Sequence, residues 1–295
     1  MPPLIWESRP DGLRAPALLC SFSGWNDAGE AASSALRFLG SQFGATRFAK
    51  LDPDEFFDFQ ETRPTIRLVD GRTREVEWPT VEIWAARVPR APRDLIIVSG
   101  PEPSMRWRGF CSSLLELSEA LGVQMSITVG ALLADVPHTR PVPLVGLASD
   151  DSLIDPASLS PTSYEGPTGI TGVVYSAFQD AGIPSVSLWA SVPHYVAAAP
   201  NPKASLALVR KIESLVGIAV DASELERAAL DYERRVSAAV SGDDGVRRFV
   251  ERLEQAADAE LPELDEEDVP SGDVIARDFQ RFLNQRGDTP SGGAG

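Results

Sequence analysis

The sequence contains only two cysteines, Cys20 and Cys111, and two histidines, His138 and His194. Neither cysteine belongs to a C-x-x-C pair, so no disulfide framework is expected and a reducing compartment, the cytoplasm, is predicted. The few thiol and imidazole groups also lack the close spacing typical of metal ligands. We therefore expect neither a metal site nor another cofactor.

Basic residues and long apolar runs are also scarce. The chain has 27 basic and 43 acidic residues, a net charge of −16, which argues against nucleic acid and against anionic membranes as partners. No apolar run approaches the length of about 20 residues that spans a bilayer. The first residues do not have the charged and apolar regions of a signal peptide. These absences predict a soluble protein with protein or small-molecule partners.

Alternating strand and helix patterns fill the first part of the chain. Short apolar runs predict strands at 15–22, 94–100, 124–132 and 183–192, with amphipathic helices between and after them. This alternation predicts an α/β domain over 1–220, built on a largely parallel sheet with helices on both faces.

The pattern changes after residue 220. Helical spacing of apolar residues predicts a helical hairpin over 221–260. Residues 261–295 are predicted to form an acidic linker, a short helix and a disordered tail. That short helix has an apolar side with Phe279 and Phe282, which we expect to dock on the domain or on a neighbouring subunit.

Polar side chains follow the carboxyl ends of the predicted strands, where parallel α/β sheets bind ligands. We expect them to line one cleft. Asp27 is also placed to cap the next helix, and the sequence GPTGITG lacks the lysine of a phosphate loop. The candidate cleft residues are Trp25, Asn26, Asp27, Glu102, His138, Thr168, Gly169, Thr171, His194, Tyr195 and Asn201.

Both histidines lie in Val-Pro-His triplets, each just past an apolar stretch. A spatial Ser-His-Asp arrangement stays open, because triads need no fixed spacing. However, the chain has no G-x-S-x-G motif and no evident cysteine nucleophile. We predict that His138 and His194 have structural or ligand-contact roles at the rim of the sheet and are not an acid/base pair.

The stretch DEFFDF places Phe56, Phe57 and Phe59 within four positions. A strand buries only one of its sides in a monomer's core, so at least one ring is expected to need another surface. We therefore include these residues, with Phe279 and Phe282, as a candidate interface. Closed symmetry would satisfy such patches, and a homo-oligomer is predicted, with a trimer favoured.

Four ordered motifs resemble the bacterial branch of the proteasome assembly chaperone 2 family. They are SGWNDAGEAASSAL, LDPDEFFDFQETRPTIRL, SYEGPTGITGVV and SVPHYVAAAPNPKASLALV. The resemblance implies a three-layer α/β/α domain similar to nucleoside phosphorylases. It also implies a protein-binding chaperone or scaffold, with proteasome subunits as candidate partners, rather than an enzyme.

Archaeal members of this family that act on proteasomes end in a hydrophobic-Tyr-any tail that docks on the α-ring. This sequence ends in Gly-Gly-Ala-Gly, so docking by that tail is not expected. The alternative function is a small-molecule binder or enzyme that uses the phosphorylase-like cleft.

Overall fold

The computed structural model describes residues 3–150, 153, 160–161, 164–196 and 199–260. Eleven strands lie in these ranges: β1 (Leu4–Trp6), β2 (Ala17–Ser23), β3 (Thr46–Leu51), β4 (Thr65–Val69), β5 (Thr73–Glu77), β6 (Glu82–Ala86), β7 (Leu95–Pro101), β8 (Met125–Ala134), β9 (Leu144–Ala148), β10 (Ser160–Pro161) and β11 (Ser185–Pro193). The α-helices are α1 (Ala31–Gln42), α2 (Pro53–Phe56), α3 (Trp107–Leu121), α4 (Ile170–Asp180), α5 (Pro202–Val216), α6 (Ser223–Ser241) and α7 (Asp244–Glu260).

Nine strands form one sheet in the order β1-β3-β6-β7-β2-β8-β11-β9-β10. Its centre, β7-β2-β8-β11, is parallel, while β1, β3 and β6 join one side, and β9 the other, in antiparallel pairings. The α/β fold predicted from the sequence is confirmed, with a mixed sheet around a parallel centre.

Alternation along β2 shows how helices cover both faces. Ala17 and Leu19 point into a core shared with α1 and α5. Leu18, Cys20 and Phe22 point into a second core shared with α3 and α4. Because successive side chains of a strand face opposite sides, this continuous apolar run serves two cores and produces three layers.

Side chains and glycines close in sequence determine where α5 begins and where α3 and α5 end. Asn201 caps α5, accepting a hydrogen bond from the N–H of Ala204 at 3.0 Å, and Pro202 is the first helical residue. Gly122 and Gly217 end α3 and α5 with φ of 67° and 72°, the left-handed conformation that glycine adopts without steric cost.

The two helices expected after residue 220 are present as α6 and α7, and α6 packs on α5. The division into domains at 1–220 and 221–260 remains a prediction. The predicted linker, short helix and tail of 261–295, with Phe279 and Phe282, lie outside the described residues.

The stretch around Phe56 differs from the expectation. Asp52 caps the single turn α2, so the segment is not a strand. Phe56 and Phe57 are buried in the monomer's own core, where Phe56 meets Phe110 edge to face. Phe59 is half-buried against Trp78, with ring centroids 4.7 Å apart. Phe56 and Phe57 are thus wrong as interface candidates, because the backbone changes from the helical turn at Phe56 to an extended conformation at Phe57, which lets neighbouring rings enter the same core.

Within the described ranges, no helix combines the length and the apolar character needed to cross a bilayer.

Candidate functional site

The carboxyl ends of the four parallel strands meet at one edge of the sheet, which positions most of the candidate residues. Asp27, just after β2, forms an isolated bridge with Ala131 of β8. The structure places seven of the eleven candidates in two groups. We call Asn26, Asp27, Glu102 and Gly169 the Asn26 cluster; the His138 cluster contains His138, His194 and Tyr195.

Glu102 connects the segments that form the Asn26 cluster. Its Oε1 accepts hydrogen bonds from Asn26 Nδ2 and from the N–H of Ile170, both at 2.8 Å. The backbone of Asn26 is held as well, since its carbonyl accepts from Ala131 N–H at 2.8 Å. Gly169 leaves room for this amide, because a Cβ there would lie 2.2 Å from Asn26 Oδ1.

Asp27 is buried and serves α1 as predicted. Its Oδ1 accepts hydrogen bonds from the N–H groups of Ala32 at 2.8 Å and Ser33 at 3.2 Å. Burial raises the pKa of this carboxyl, because desolvation disfavours its charged form. Oδ2 is also buried and has no partner among the described residues. Asp27 is therefore a helix cap with one unused acceptor.

The other candidates near this group have separate positions. Trp25 projects outward, with 69% of its surface exposed, whereas Thr171 is fully buried in α4. Thr168 lies next to α4, with its hydroxyl 3.4 Å from the Gly169 carbonyl. Asn201 donates its backbone N–H to the Gly29 carbonyl at 2.7 Å, which connects the start of α5 to the loop after β2.

The His138 cluster is organised by one tyrosine hydroxyl. The backbone N–H of His138 donates to Tyr195 Oη at 2.8 Å, and His138 Nδ1 lies 2.7 Å from the same oxygen. The hydroxyl proton is then free to be donated to Nδ1. This leaves the proton on Nε2, which is 3.0 Å from Ser237 Oγ. The network thus favours neutral imidazole, and burial together with Lys203 lowers the pKa of His138.

His194 is in a different environment. Its Nδ1 lies 2.9 Å from Asp135 Oδ1, and both side chains are exposed. Both imidazoles pack edge to face on the Tyr195 ring, at centroid distances of 5.9 Å for His138 and 6.0 Å for His194. The two rings share this tyrosine and have no hydrogen bond to each other among those found.

Residues from the C-terminal helices complete the His138 cluster, and the sequence reading missed them. Lys203 Nζ donates to the His138 carbonyl and pairs with Glu233, both at 2.5 Å. Phe249 of α7 packs on His194 and Tyr195 at 5.5 and 5.9 Å. The helical spacing of apolar residues in α6 predicts that one face of this helix is buried. It does not predict which loop packs against that face.

The cysteines, the remaining candidates for reactive groups, lie in the core of the domain. Both cysteines are buried; burial raises the pKa of Cys111 to about 11 and raises the pKa of Cys20 further. The thiols are therefore protonated near neutral pH. In the part of the chain that the structure describes, no three acidic, histidine or cysteine side chains are grouped as a metal site would require.

Comparison with known proteins gives a family match over most of the chain. The model of the PAC2 family matches residues 21–240. A search of curated proteins found no match.

Solved structures agree with this match. The Mycobacterium tuberculosis proteasome-assembly chaperone homologue Rv2125 is 43% identical, with a TM-score of 0.74 over 79% of this chain and 99% of that one. A PAC2 family protein from Streptomyces avermitilis is 45% identical, with a TM-score of 0.74 over 80% and 99%. PbaB, an archaeal proteasome activator from Pyrococcus furiosus, shares the fold at 19% identity, with a TM-score of 0.63 over 80% and 97%.

Proposed function

The chain belongs to the PAC2 family, and from that premise we propose that it is a non-enzymatic, protein-binding chaperone or scaffold. Proteasome subunits are the proposed partners, and the cytoplasm is the proposed location. The name of the M. tuberculosis proteasome-assembly chaperone homologue supports this proposal, as does the name of PbaA from Pyrococcus furiosus, an archaeal homolog of proteasome-assembly chaperone with a similar fold. Two buried, unpaired cysteines are consistent with a reducing compartment.

The observation that carries the proposal is the set of apolar side chains exposed around the carboxyl edge of the sheet. Trp25 after β2, Leu133 in β8 and Tyr164 before α4 are 69%, 61% and 66% exposed. Large apolar groups that stay in contact with water around one edge are typical of surfaces that bind another protein. Tryptophan and tyrosine are also the side chains most enriched at the centres of such interfaces.

The hydrogen bonds of the edge support the absence of catalysis. Glu102 accepts the backbone N–H of Ile170, and the Tyr195 hydroxyl accepts the backbone N–H of His138, so both residues belong to structural connections between distant segments. A general base needs a free acceptor, whereas Nδ1 of His138 accepts from the Tyr195 hydroxyl and Nε2 carries the proton that faces Ser237 Oγ, so neither nitrogen is placed to take the serine proton.

The test is reconstitution of a proteasome core from purified subunits of the source organism. We expect the chain to accelerate the appearance of assembled core on native gels and to bind unassembled subunits. Trp25→Ala combined with Leu133→Ser should remove both effects. Leu147→Ser changes an exposed leucine of β9 and is the matched control. Equal assembly rates with and without the chain would reject the proposal.

A second candidate function is a small-molecule binder at the Asn26 cluster. It is favoured by buried polar atoms that have no partner among the described residues: Asn26 Oδ1, Asp27 Oδ2, Thr128 Oγ1 and Thr171 Oγ1. Buried polar groups normally find a partner, and a ligand can provide one. Thermal-shift measurements with nucleosides and inorganic phosphate test this alternative: stabilisation that Asp27→Asn removes would support it, and no shift would reject it.

A further inference from the structure

The loops at the carboxyl edge place one acidic side chain between two segments that expose aromatic rings. Glu102 lies against the loop after β2, since a Cβ on Gly24 would be 3.8 Å from the Glu102 Cβ. Trp25 follows in that loop. On the other side, Glu102 Oε1 accepts the N–H of Ile170 at 2.8 Å, and Tyr164 lies on the short loop before that residue. Trp25 and Tyr164 are the most exposed aromatic side chains of this edge, at 69% and 66%.

The Glu102 carboxylate keeps one oxygen available to a ligand. Oε1 receives both hydrogen bonds of the side chain, from the N–H of Ile170 and from Asn26 Nδ2. Oε2 has neither a hydrogen bond nor an ion pair to any described residue, and it is not among the buried oxygens without a partner, so it is open to solvent. Because a carboxylate only accepts hydrogen bonds, a group that binds Oε2 has to be a donor.

The charges of these loops favour a cationic donor. The loops after β2 and β7 and before α4 contain a single basic residue, Arg106, and it is paired with Glu55. Glu30 and Glu165, two exposed acidic residues of the same loops, have no ion pair within the described part of the chain. Unpaired carboxylates attract cations and repel anions, and the faces of tryptophan and tyrosine rings also attract cations.

The exposure of this edge indicates that the cation comes with a larger partner. A pocket for a small molecule encloses most of its ligand, whereas the rings of Trp25 and Tyr164 are mostly in contact with water. A free amine bound at Glu102 would therefore gain little area. A side chain presented by a protein brings further contacts with it, and the exposed Leu133 extends the apolar surface available to them.

We infer that the protein partner presents a lysine or arginine side chain to this edge, where its charged group donates to Glu102 Oε2 beside Trp25 and Tyr164. The apolar stem of such a side chain covers aromatic surface while its charged end reaches the carboxylate. This inference rests on the proposed protein-binding function and adds the chemistry of the partner: a basic side chain with apolar neighbours.

The test selects phage-displayed random peptides on the full chain and synthesises the most enriched sequence. Calorimetry then gives its Kd for the parent and three variants. Glu102→Gln removes the negative charge and keeps an oxygen for the N–H of Ile170, and Trp25→Ala removes an exposed ring. Glu116→Gln on α3 is the matched control, because Glu116 is exposed and has no ion pair to described residues. Circular dichroism checks that each variant is folded.

We expect the enriched peptides to contain lysine or arginine next to apolar residues. Glu102→Gln and Trp25→Ala should each raise Kd about tenfold or more, whereas Glu116→Gln should change it by less than about twofold. Replacement of the basic residue by norleucine, which keeps an apolar stem, should weaken binding to the parent by a similar factor. The same replacement should cost little more in Glu102→Gln, because the two groups act as a pair.

Several outcomes would overturn the inference: a library that yields no binding peptide, enriched peptides without a basic residue, or a Kd that Glu102→Gln leaves unchanged. Additive effects of norleucine and Glu102→Gln would also contradict it. Equal losses in Glu102→Gln and Glu116→Gln would do the same, since they would report only the attraction of a basic peptide to a chain of net charge −16.

The peptide measurements and the assembly assay fail separately, because the former need no proteasome subunit. Accelerated assembly together with peptides that are insensitive to Glu102→Gln rejects this inference alone. Unchanged assembly together with peptide binding that Glu102→Gln weakens rejects the chaperone role alone.

Discussion

The Asn26 cluster and the His138 cluster occupy the same edge of the sheet but satisfy their polar groups differently. The first is bonded by Glu102 and backbone groups, and within the described residues one oxygen each of Asn26 and Asp27 has no partner. In the second, the Ser237 hydroxyl of α6 faces the His138 ring and Phe249 of α7 packs on the His194 ring. A carboxyl-edge position therefore does not by itself define a reactive site, because later parts of the chain can fill it.

Among the variants of the two clusters, removal of the Glu102 carboxylate should lower the free energy of unfolding the most. Glu102→Ala leaves two donors, Asn26 Nδ2 and Ile170 N–H, without their acceptor, and we expect the free energy of unfolding to fall by about 2–3 kcal/mol. Urea unfolding measures it. Glu102→Gln keeps a side-chain oxygen and should lose less. An alanine variant as stable as the parent would show that water can bind both donors in place of the carboxylate, and that the Asn26 cluster is accessible to solvent.

Removal of the Tyr195 hydroxyl tests the second cluster. Tyr195→Phe keeps the ring contacts but deprives the His138 N–H and Nδ1 of their shared partner, which should cost about 1–2 kcal/mol. Tyr175→Phe changes a buried tyrosine whose hydroxyl has no hydrogen bond to the described residues; it is the control and should be close to neutral. If Tyr195→Phe and Tyr175→Phe lose the same free energy of unfolding, the hydrogen bonds between Tyr195 and His138 do not stabilise the fold.

The two clusters should respond to pH with opposite signs. Burial lowers the pKa of His138, with Lys203 acting in the same direction and Glu233 and Glu254 opposing it. The unfolded chain then binds more protons, so stability should fall as pH drops below about 6.5. His138→Gln should flatten this dependence in urea unfolding at several pH values, and an unchanged slope would contradict the assignment.

For Asp27 the sign is reversed. Its pKa is raised by burial, so the folded chain retains the proton longer, and its contribution to stability is lost as pH rises through the folded pKa. Asp27→Asn keeps the Oδ1 acceptor and should therefore gain stability relative to the parent as pH rises above about 4. A constant difference between the two proteins across that range would show that Asp27 ionises as freely as in the unfolded chain.

The smallest effect on stability is expected at Trp25. Because its side chain is largely exposed, Trp25→Ala should change the free energy of unfolding by less than about 0.5 kcal/mol. Trp189→Ala is the contrast: a Cβ on Gly130 would lie 2.5 Å from the Trp189 ring, so this ring covers β8 closely and its loss should destabilise markedly. A large loss at Trp25 would mean that its ring supports the fold.

The sequence allowed many of the local features to be predicted. Apolar runs identified the central strands, and Asp27 was recognised as a cap. These features depend on neighbours within a few positions, so the pattern of residues is sufficient. The Phe56 stretch was misread because its burial comes from a helical turn packed against Phe110, more than fifty residues away.

The sequence by itself determined which side chains reach the carboxyl edge, since parallel strands bring their ends together whatever the loops contain. Only the tertiary structure decided what those side chains do there. His138 meets a serine 99 positions later in the chain, and Glu102 meets Ile170 across 68 positions. Such contacts depend on the packing of whole helices against the sheet, which no local pattern of residues encodes.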